Sequence, residues 1–229
     1  MKLIAYLKKS LPFSRRKIFS LIKEEKIKAN EKTITKSTYR LQPKDKVFFE
    51  NRLLHPNEKN IYIIVNKPPG FVCTLKDKFA PKKVIDLVPK KFKRLVIAGR
   101  LDKDSRGLVL LTNDGNLVYK ITHPKFEIEK EYLVKIKPAL KEADIKKIER
   151  GIKVEDIVYR VKKIQTIEKT ASFSHLKIIL NEGKKREIRN IFGFLGYIVE
   201  DLKRIRIGKV KLKNLKEGEY KVINKKEII

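Results

Sequence analysis

A chain of 229 residues has room for one large domain, or for a small one followed by a medium one, and 8% aromatic residues restrict it to modest, aliphatic cores. Lysine and arginine outnumber aspartate and glutamate by 57 to 27, a net charge of +30 that calls for a polyanionic partner, nucleic acid above all. One cysteine (Cys73) and three scattered histidines (His55, His123, His175) offer neither a disulfide framework nor zinc-ligand spacing, and no leader or apolar membrane span is read, so the expectation is a cytosolic protein without metal.

Residues 1–52 read as a small unit of their own. Leu3, Ile4 and Leu7 place one apolar face on a short helix over Met1–Lys9. Ser14 is an N-cap for a second helix, with Ile18, Leu21 and Ile22 as its apolar stripe. Arg15, Arg16 and Lys17 fill its first turn, where cations oppose the macrodipole; a docked polyanion would explain them. Strands follow at 26–30 and 47–49. The polar NRLLHPNEKN stretch over 51–60 marks the boundary, with 53–60 as linker and 61–229 as the second domain.

In that domain Ile61–Val65 predicts a buried strand, Asn66–Gly70 a sharp turn, and Val84–Val88 a short helix closed by Pro89. Val96–Ala98 and Leu108–Leu111 are apolar strands that bracket GRLDKDSRG, so Asp102 and Asp104 are presented on a loop between two buried strands. Asn113-Asp114 starts a helix through Leu117, Val118 and Ile121. Tyr132, Val134 and Ile136 share one face of a strand, and residues 141–150 form a charged helix stopped by Gly151. Strands are expected around 157–165, 172–180, 197–200, 205–212 and 219–224. A helix with Ile188, Ile191, Phe192 and Leu195 on its apolar face turns Arg186, Arg189 and Asn190 elsewhere. The sum is an α+β chain: a small α/β binding domain, then a larger one on a mixed, mainly antiparallel sheet.

Two stretches of resemblance add to this reading. SRRKIFSLIKEEKIKANEK is similar to the S4-like RNA-binding domain, with Glu31 where that family often has glycine. NKPPG (66–70), GRLDKDSRGLVLLTNDG (99–115), EKEY (129–132) and EGKKREIRNIFGFLGY (182–197) together resemble the ribosomal-RNA pseudouridine synthases of the Rsu type. That resemblance implies cofactor-free, metal-free isomerisation of a uridine in rRNA: a glycosidic C–N bond breaks, the base turns over, and its C5 joins the ribose. A carboxylate suits such chemistry because it can add covalently and leave again.

Carried over by position, the resemblance makes Asp102 the catalytic aspartate and Arg189 the arginine paired with it, since burial alone would discourage the charged carboxylate. Tyr132 becomes the tyrosine that packs on the target base and takes the C5 proton, with the aliphatic Leu180 beside it. Arg100 fills the gap left by the extruded uridine. Lys67, Lys203, Arg204 and Arg206 are expected to track the RNA backbone, and Arg15, Arg16, Lys17 and Arg186 to contact RNA. Ser105 replaces the family's usual threonine, and Arg186-Glu187 stands where relatives often carry other polar pairs. The expected partner is ribosomal RNA or a pre-ribosomal particle, of the large subunit by the C-terminal stretch and overall layout, with the small subunit as the alternative, and the expected state is a monomer. The alternative is a non-catalytic rRNA-binding or assembly protein that keeps the scaffold. A methyltransferase is disfavoured because no glycine-rich strand-turn-helix loop is present.

Overall fold

The computed structural model describes residues 1–56, 59–92 and 94–228, and divides into two compact units, Met1–Asn60 and Ile61–Ile229. In the first, α1 (Leu3–Ser10) and α2 (Arg15–Lys23) join strands β1 (Ile27–Ala29), β2 (Lys32–Thr33), β3 (Val47–Phe49) and β4 (Arg52–Leu53). The strands form an antiparallel sheet in the order β2-β1-β3-β4. Leu3 and Leu7 of α1 meet Ile18, Leu21 and Ile22 of α2 over Ile27 and Val47, all buried. The Ser14 side chain accepts the Lys17 N–H and opens α2, whose first-turn cations are all exposed.

The stretch read as a connection over 51–60 begins inside this sheet. Arg52 and Leu53 pair with Phe49 and Phe48, and Leu54 is buried in the core. Glu50 and Asn51 both take positive φ (47° and 63°), the geometry of a two-residue hairpin turn that their polar letters conceal.

The second unit is built on a nine-stranded sheet. Its members are β5 (Tyr62–Lys67), β6 (Val96–Ala98), β7 (Arg106–Thr112), β8 (Lys130–Lys137), β11 (Lys163–Lys169), β12 (Ser174–Leu180), β13 (Ile198–Ile207), β14 (Val210–Lys211) and β15 (Tyr220–Val222). The order is β11-β12-β8-β13-β7-β5-β15, with β14 on β13 and β6 on β7. Only the β13–β7 pairing is parallel, so this is the mixed, mainly antiparallel α+β architecture expected. β9 (Ile152–Val154) and β10 (Ile157–Tyr159) form a separate hairpin.

All six residues of β5 are buried, and its alternate residues enter two cores on opposite faces of the sheet. Ile63 and Val65 join Val109, Leu111, Val134, Ile136 and Ile178 in the larger core, closed by α4 (Glu142–Arg150) and α5 (Glu187–Phe194). Tyr62, Ile64, Leu108 and Leu110 face the other way, against Leu117 and Ile121 of α3 (Gly115–Thr122). Asp114 caps α3 by accepting the N–H groups of Asn116 and Leu117.

Two strand expectations need correction. The strand expected over 157–165 is two strands in two different sheets, β10 and β11. Those expected at 197–200 and 205–212 are largely one ten-residue strand, β13, whose register shifts at Val199/Asp201 and Arg204/Arg206, followed by the two residues of β14. Each shift breaks the period-2 pattern from which one strand would be read.

Gly107 sets the approach of β7 to β13. Its φ is +105°, and a Cβ there would stand 2.3 Å from the Arg204 carbonyl oxygen. Only glycine fits, and the parallel pairing of Arg204 with Gly107 depends on it. Among the described residues no helix is long and apolar enough to cross a membrane, and no group of histidine, cysteine and acidic side chains could hold a metal ion.

Candidate active site

Asp102 stands on the loop between β6 and β7, and that loop is fixed at nearly every residue. Arg204, 2% exposed, donates from Nε to the Leu108 carbonyl at 2.7 Å, from Nη2 to Gly99 at 2.7 Å and from Nη1 to Arg100 at 3.3 Å. The Leu101 N–H points at Cys73 Sγ, 3.3 Å away. The Lys103 carbonyl accepts from the Gly70 N–H at 2.9 Å and from Lys67 Nζ at 3.1 Å, and Ser105 N–H closes the turn onto the Asp102 carbonyl at 3.2 Å. A loop has no ladder to satisfy its carbonyls, so these donors both pair them and hold the carboxylate between them in place.

The Asp102 side chain is 35% exposed and opens onto a cleft of ≈ 730 Å³. Around the same cleft stand Arg100, Lys130, Tyr132, Leu180, Arg186 and Glu187. β8 and β12 supply one wall. Lys130, Tyr132, Val134 and Ile136 occupy the inward positions of β8; Tyr132 lies opposite Ile178 and Lys130 opposite Leu180. Tyr132 is buried, and its hydroxyl has no hydrogen-bond partner among the described residues. Another concavity, of ≈ 550 Å³ beside β14 and β15, contains none of these side chains.

The structure gathers Asp102, Tyr132, Leu180, Arg100 and Arg186 around one cleft and turns Arg189, the expected partner of Asp102, to a backbone carbonyl instead. Arg189 lies 10 residues before Val199 and donates from Nη1 to its carbonyl at 3.0 Å, while its buried Nε has no partner. The ion-pair partner of Asp102 among the described residues is Arg186, with Nη1 to Oδ2 at 3.8 Å. Arg186 is the N-cap of α5 and takes a left-handed backbone, φ 52°, so its side chain leaves in a direction that helical spacing does not foresee. It is exposed, as is Arg100.

Three of the four cations expected along the RNA backbone are engaged inside the protein, and the fourth, Lys203, lies away from the cleft. Lys67 is 0% exposed; its ammonium donates to the carbonyls of Pro68 (2.9 Å), Phe71 (2.8 Å) and Lys103 (3.1 Å), and burial pushes its pKa down. Arg204 is spent on the loop as described. Arg206 is held by Glu131 at 3.0 Å, Glu129 at 2.9 Å and the Gly208 carbonyl. Lys203 pairs with Leu133 and alternates with Leu202 and Arg204, so it faces the side of the sheet away from the cleft. None of the four faces the cleft with a free cation.

Two polar residues on the cleft wall escaped the sequence reading. Lys130 is 7% exposed; burial is the main reason its pKa falls to about 8, and its Nζ reaches only the Asn181 carbonyl, at 3.4 Å. Glu187 is 3% exposed and burial pushes its pKa up; Oε2 accepts the Lys184 N–H at 3.0 Å, and Oε1 is buried with no partner. A lysine in phase with Tyr132, Val134 and Ile136 on the apolar face was the available signal.

The model of the family described as RNA pseudouridylate synthase matches residues 61–193. The chain is 32% identical over its full length to a protein of Aquifex aeolicus (strain VF5) named as an uncharacterized RNA pseudouridine synthase, and covers 94% of it. It is 33% identical to the ribosomal large subunit pseudouridine synthase B of Bacillus subtilis (strain 168), over 94% of this chain and 88% of that one. A solved structure described as pseudouridylate synthase superposes with a TM-score of 0.70 at 28% identity, covering 99% of this chain and 97% of that one.

Proposed function

This chain belongs to the RNA pseudouridine synthase family, an RNA uridine-to-pseudouridine isomerase, and we propose that its substrate is a uridine of ribosomal RNA, in the large subunit, with Asp102 as the nucleophile. The observation that carries this reading is the fixed Asp102 loop opening onto a cleft shared with Arg186, Tyr132 and Leu180. The large-subunit assignment rests on the printed name of the Bacillus subtilis relative and on the match in layout over most of both chains.

In the proposed reaction the target uridine leaves its stack and lies on Tyr132 with Leu180 alongside. Extrusion costs about a few kcal/mol, and Arg100, exposed at the cleft mouth, occupies the vacated space, where a planar guanidinium can stack and meet phosphate together. The Asp102 carboxylate adds to the bound nucleoside while the C–N bond breaks, the freed uracil rotates, C5 bonds to C1′, and the carboxylate leaves. Tyr132 takes the C5 proton on its phenolic oxygen as its own hydroxyl proton passes to water in the cleft, from which N1 of the turned base is reprotonated. Arg186 faces the carboxylate across 3.8 Å, and Arg189 braces the start of β13 through Val199. No step uses a cofactor. Arg15, Arg16 and Lys17, exposed on the first unit, hold RNA outside the cleft, which is the role an S4-like domain would have.

The test is tritium release from rRNA transcripts labelled at uridine C5. Asp102→Asn is expected to lower release on the order of 10³-fold or more while RNA affinity stays within about twofold. Release at the wild-type rate in that variant rejects Asp102 as the nucleophile. Strong RNA binding by the wild type with no pseudouridine formed would favour the assembly-protein alternative.

A further inference from the structure

Lys130 and Glu187 are an unusual pair for a cleft wall. Both are charged groups almost withdrawn from solvent, and both have hydrogen-bonding capacity that the protein leaves unused. An ammonium carries three donors, and this one has a single long contact, to the Asn181 carbonyl. The carboxylate spends Oε2 on the Lys184 N–H and leaves Oε1 buried without a partner. Buried polar groups are costly unless something completes them, so an incomplete pair on a ligand cleft points to a ligand that completes it.

Their placement says which part of the ligand that is. Lys130 precedes Tyr132 by two positions on the same face of β8, about 6.7 Å along the strand. It lies directly across from Leu180, and all three line the cleft with Glu187. A base lying on Tyr132 with Leu180 alongside therefore turns one edge towards Lys130 and Glu187.

We propose that Lys130 and Glu187 read the pairing edge of the target base, the carboxylate accepting the uracil N3–H and the ammonium donating to the C4 carbonyl. This rests on the base-binding role given above to Tyr132 and Leu180. Cytosine would be rejected twice. Its N3 is an acceptor and would face the carboxylate, and its 4-amino group is a donor and would face the ammonium. The specificity of the enzyme for uracil thus lies in two side chains that are not themselves changed in the reaction. The pair is also mutually supporting: each charge partly offsets the burial that disfavours the other.

The test compares a ten-nucleotide oligouridylate with an oligocytidylate of equal length as competitive inhibitors of tritium release from the labelled rRNA transcript. Their phosphates are alike, so the ratio of inhibition constants isolates the base. The wild type is expected to prefer the oligouridylate by about tenfold or more. Glu187→Gln, which keeps the acceptor for the Lys184 N–H, should bring the ratio to within about twofold of unity, as should Lys130→Met. A structural role alone would lower the melting temperature and leave the ratio unchanged. Loss of activity by Glu187→Gln does not block the test, because the same ratio can be read from direct binding. No uridine preference in the wild type, or an undiminished preference in both folded variants, overturns the proposal. The nucleophile assignment fails separately: Asp102→Asn should keep the preference in direct binding, so release persisting in that variant removes one reading and spares the other.

Discussion

Replacing Arg204 by methionine separates two roles that an arginine in a basic RNA enzyme can have. The side chain is 2% exposed and donates to three backbone carbonyls, two at 2.7 Å and one at 3.3 Å. A buried carbonyl stranded by loss of its donor costs about 1–3 kcal/mol, and the longest contact counts for less, so the gross loss is about 2–6 kcal/mol. Removing the cation also removes its own desolvation cost, which leaves about 3 kcal/mol net. That is survivable in a protein of ordinary stability, and the variant should be folded at 25 °C. Urea unfolding should show a lower midpoint at unchanged slope, and turnover should fall because Gly99 and Arg100 lead directly into Asp102. RNA affinity measured across salt should keep its slope. A phosphate-contacting Arg204 would behave in the opposite way, with an unchanged midpoint and a plot of log K against log salt shallower by about 0.7–0.9. That outcome would refute the assignment of Arg204 to the loop.

Three further outcomes are expected. Lys67→Met should lower stability by about 2–4 kcal/mol in urea unfolding and reduce turnover without altering the salt slope, since the ammonium is wholly buried on carbonyls. Arg100→Ala should make the salt plot shallower by about 0.7–0.9 and leave the urea midpoint unchanged, because this guanidinium is exposed. At Asp114 burial raises the carboxyl pKa, but the Lys225 ammonium, the Leu117 N–H and the Tyr62 hydroxyl outweigh it and hold the value low. A lowered folded value means stability that is present above the unfolded value of about 3.9 and is lost as pH falls through the folded one. Asp114→Asn should therefore destabilise at pH 7 and show a weaker acid limb than the wild type when melting temperature is followed below pH 5.

The architecture and much of the cleft were legible because their signals are local. The alternation in KEYLVKIK, the caps at Ser14 and Asp114, and the polar loop between two apolar strands each follow from a few neighbouring residues. What escaped depends on the third dimension. Arg186 and Arg189 are three residues apart, and helical spacing treats them as equivalent; the left-handed backbone at 186 separates them and sends one to Asp102 and the other to Val199. Glu50 and Asn51 hid a hairpin because neither is the glycine that such turns favour. Lys67, Arg204 and Arg206 were counted as charge when the fold uses them as donors, and neither the wholly buried β5 nor the register-shifted β13 offers the clean alternation that marks Lys130 as facing inward.

That division explains why so basic a chain needs some of its cations inside. On the role proposed for Asp102 its loop must be stiff, because a carboxylate displaced by 1 Å can lose about 10²-fold in rate. Yet a loop that presents a reactive group to a cleft cannot be buried in a ladder, so its carbonyls need other donors. One ammonium can serve three carbonyls converging on a point, which is the arrangement at Lys67. A guanidinium serves carbonyls spread along its fork, which is the arrangement at Arg204, reaching a strand on one side and the loop on the other. The two cations are not interchangeable, since each matches the spacing of the oxygens it gathers. Their charge is consumed within the protein, so the exposed cations around the cleft are Arg100, Lys103, Lys185 and Arg186.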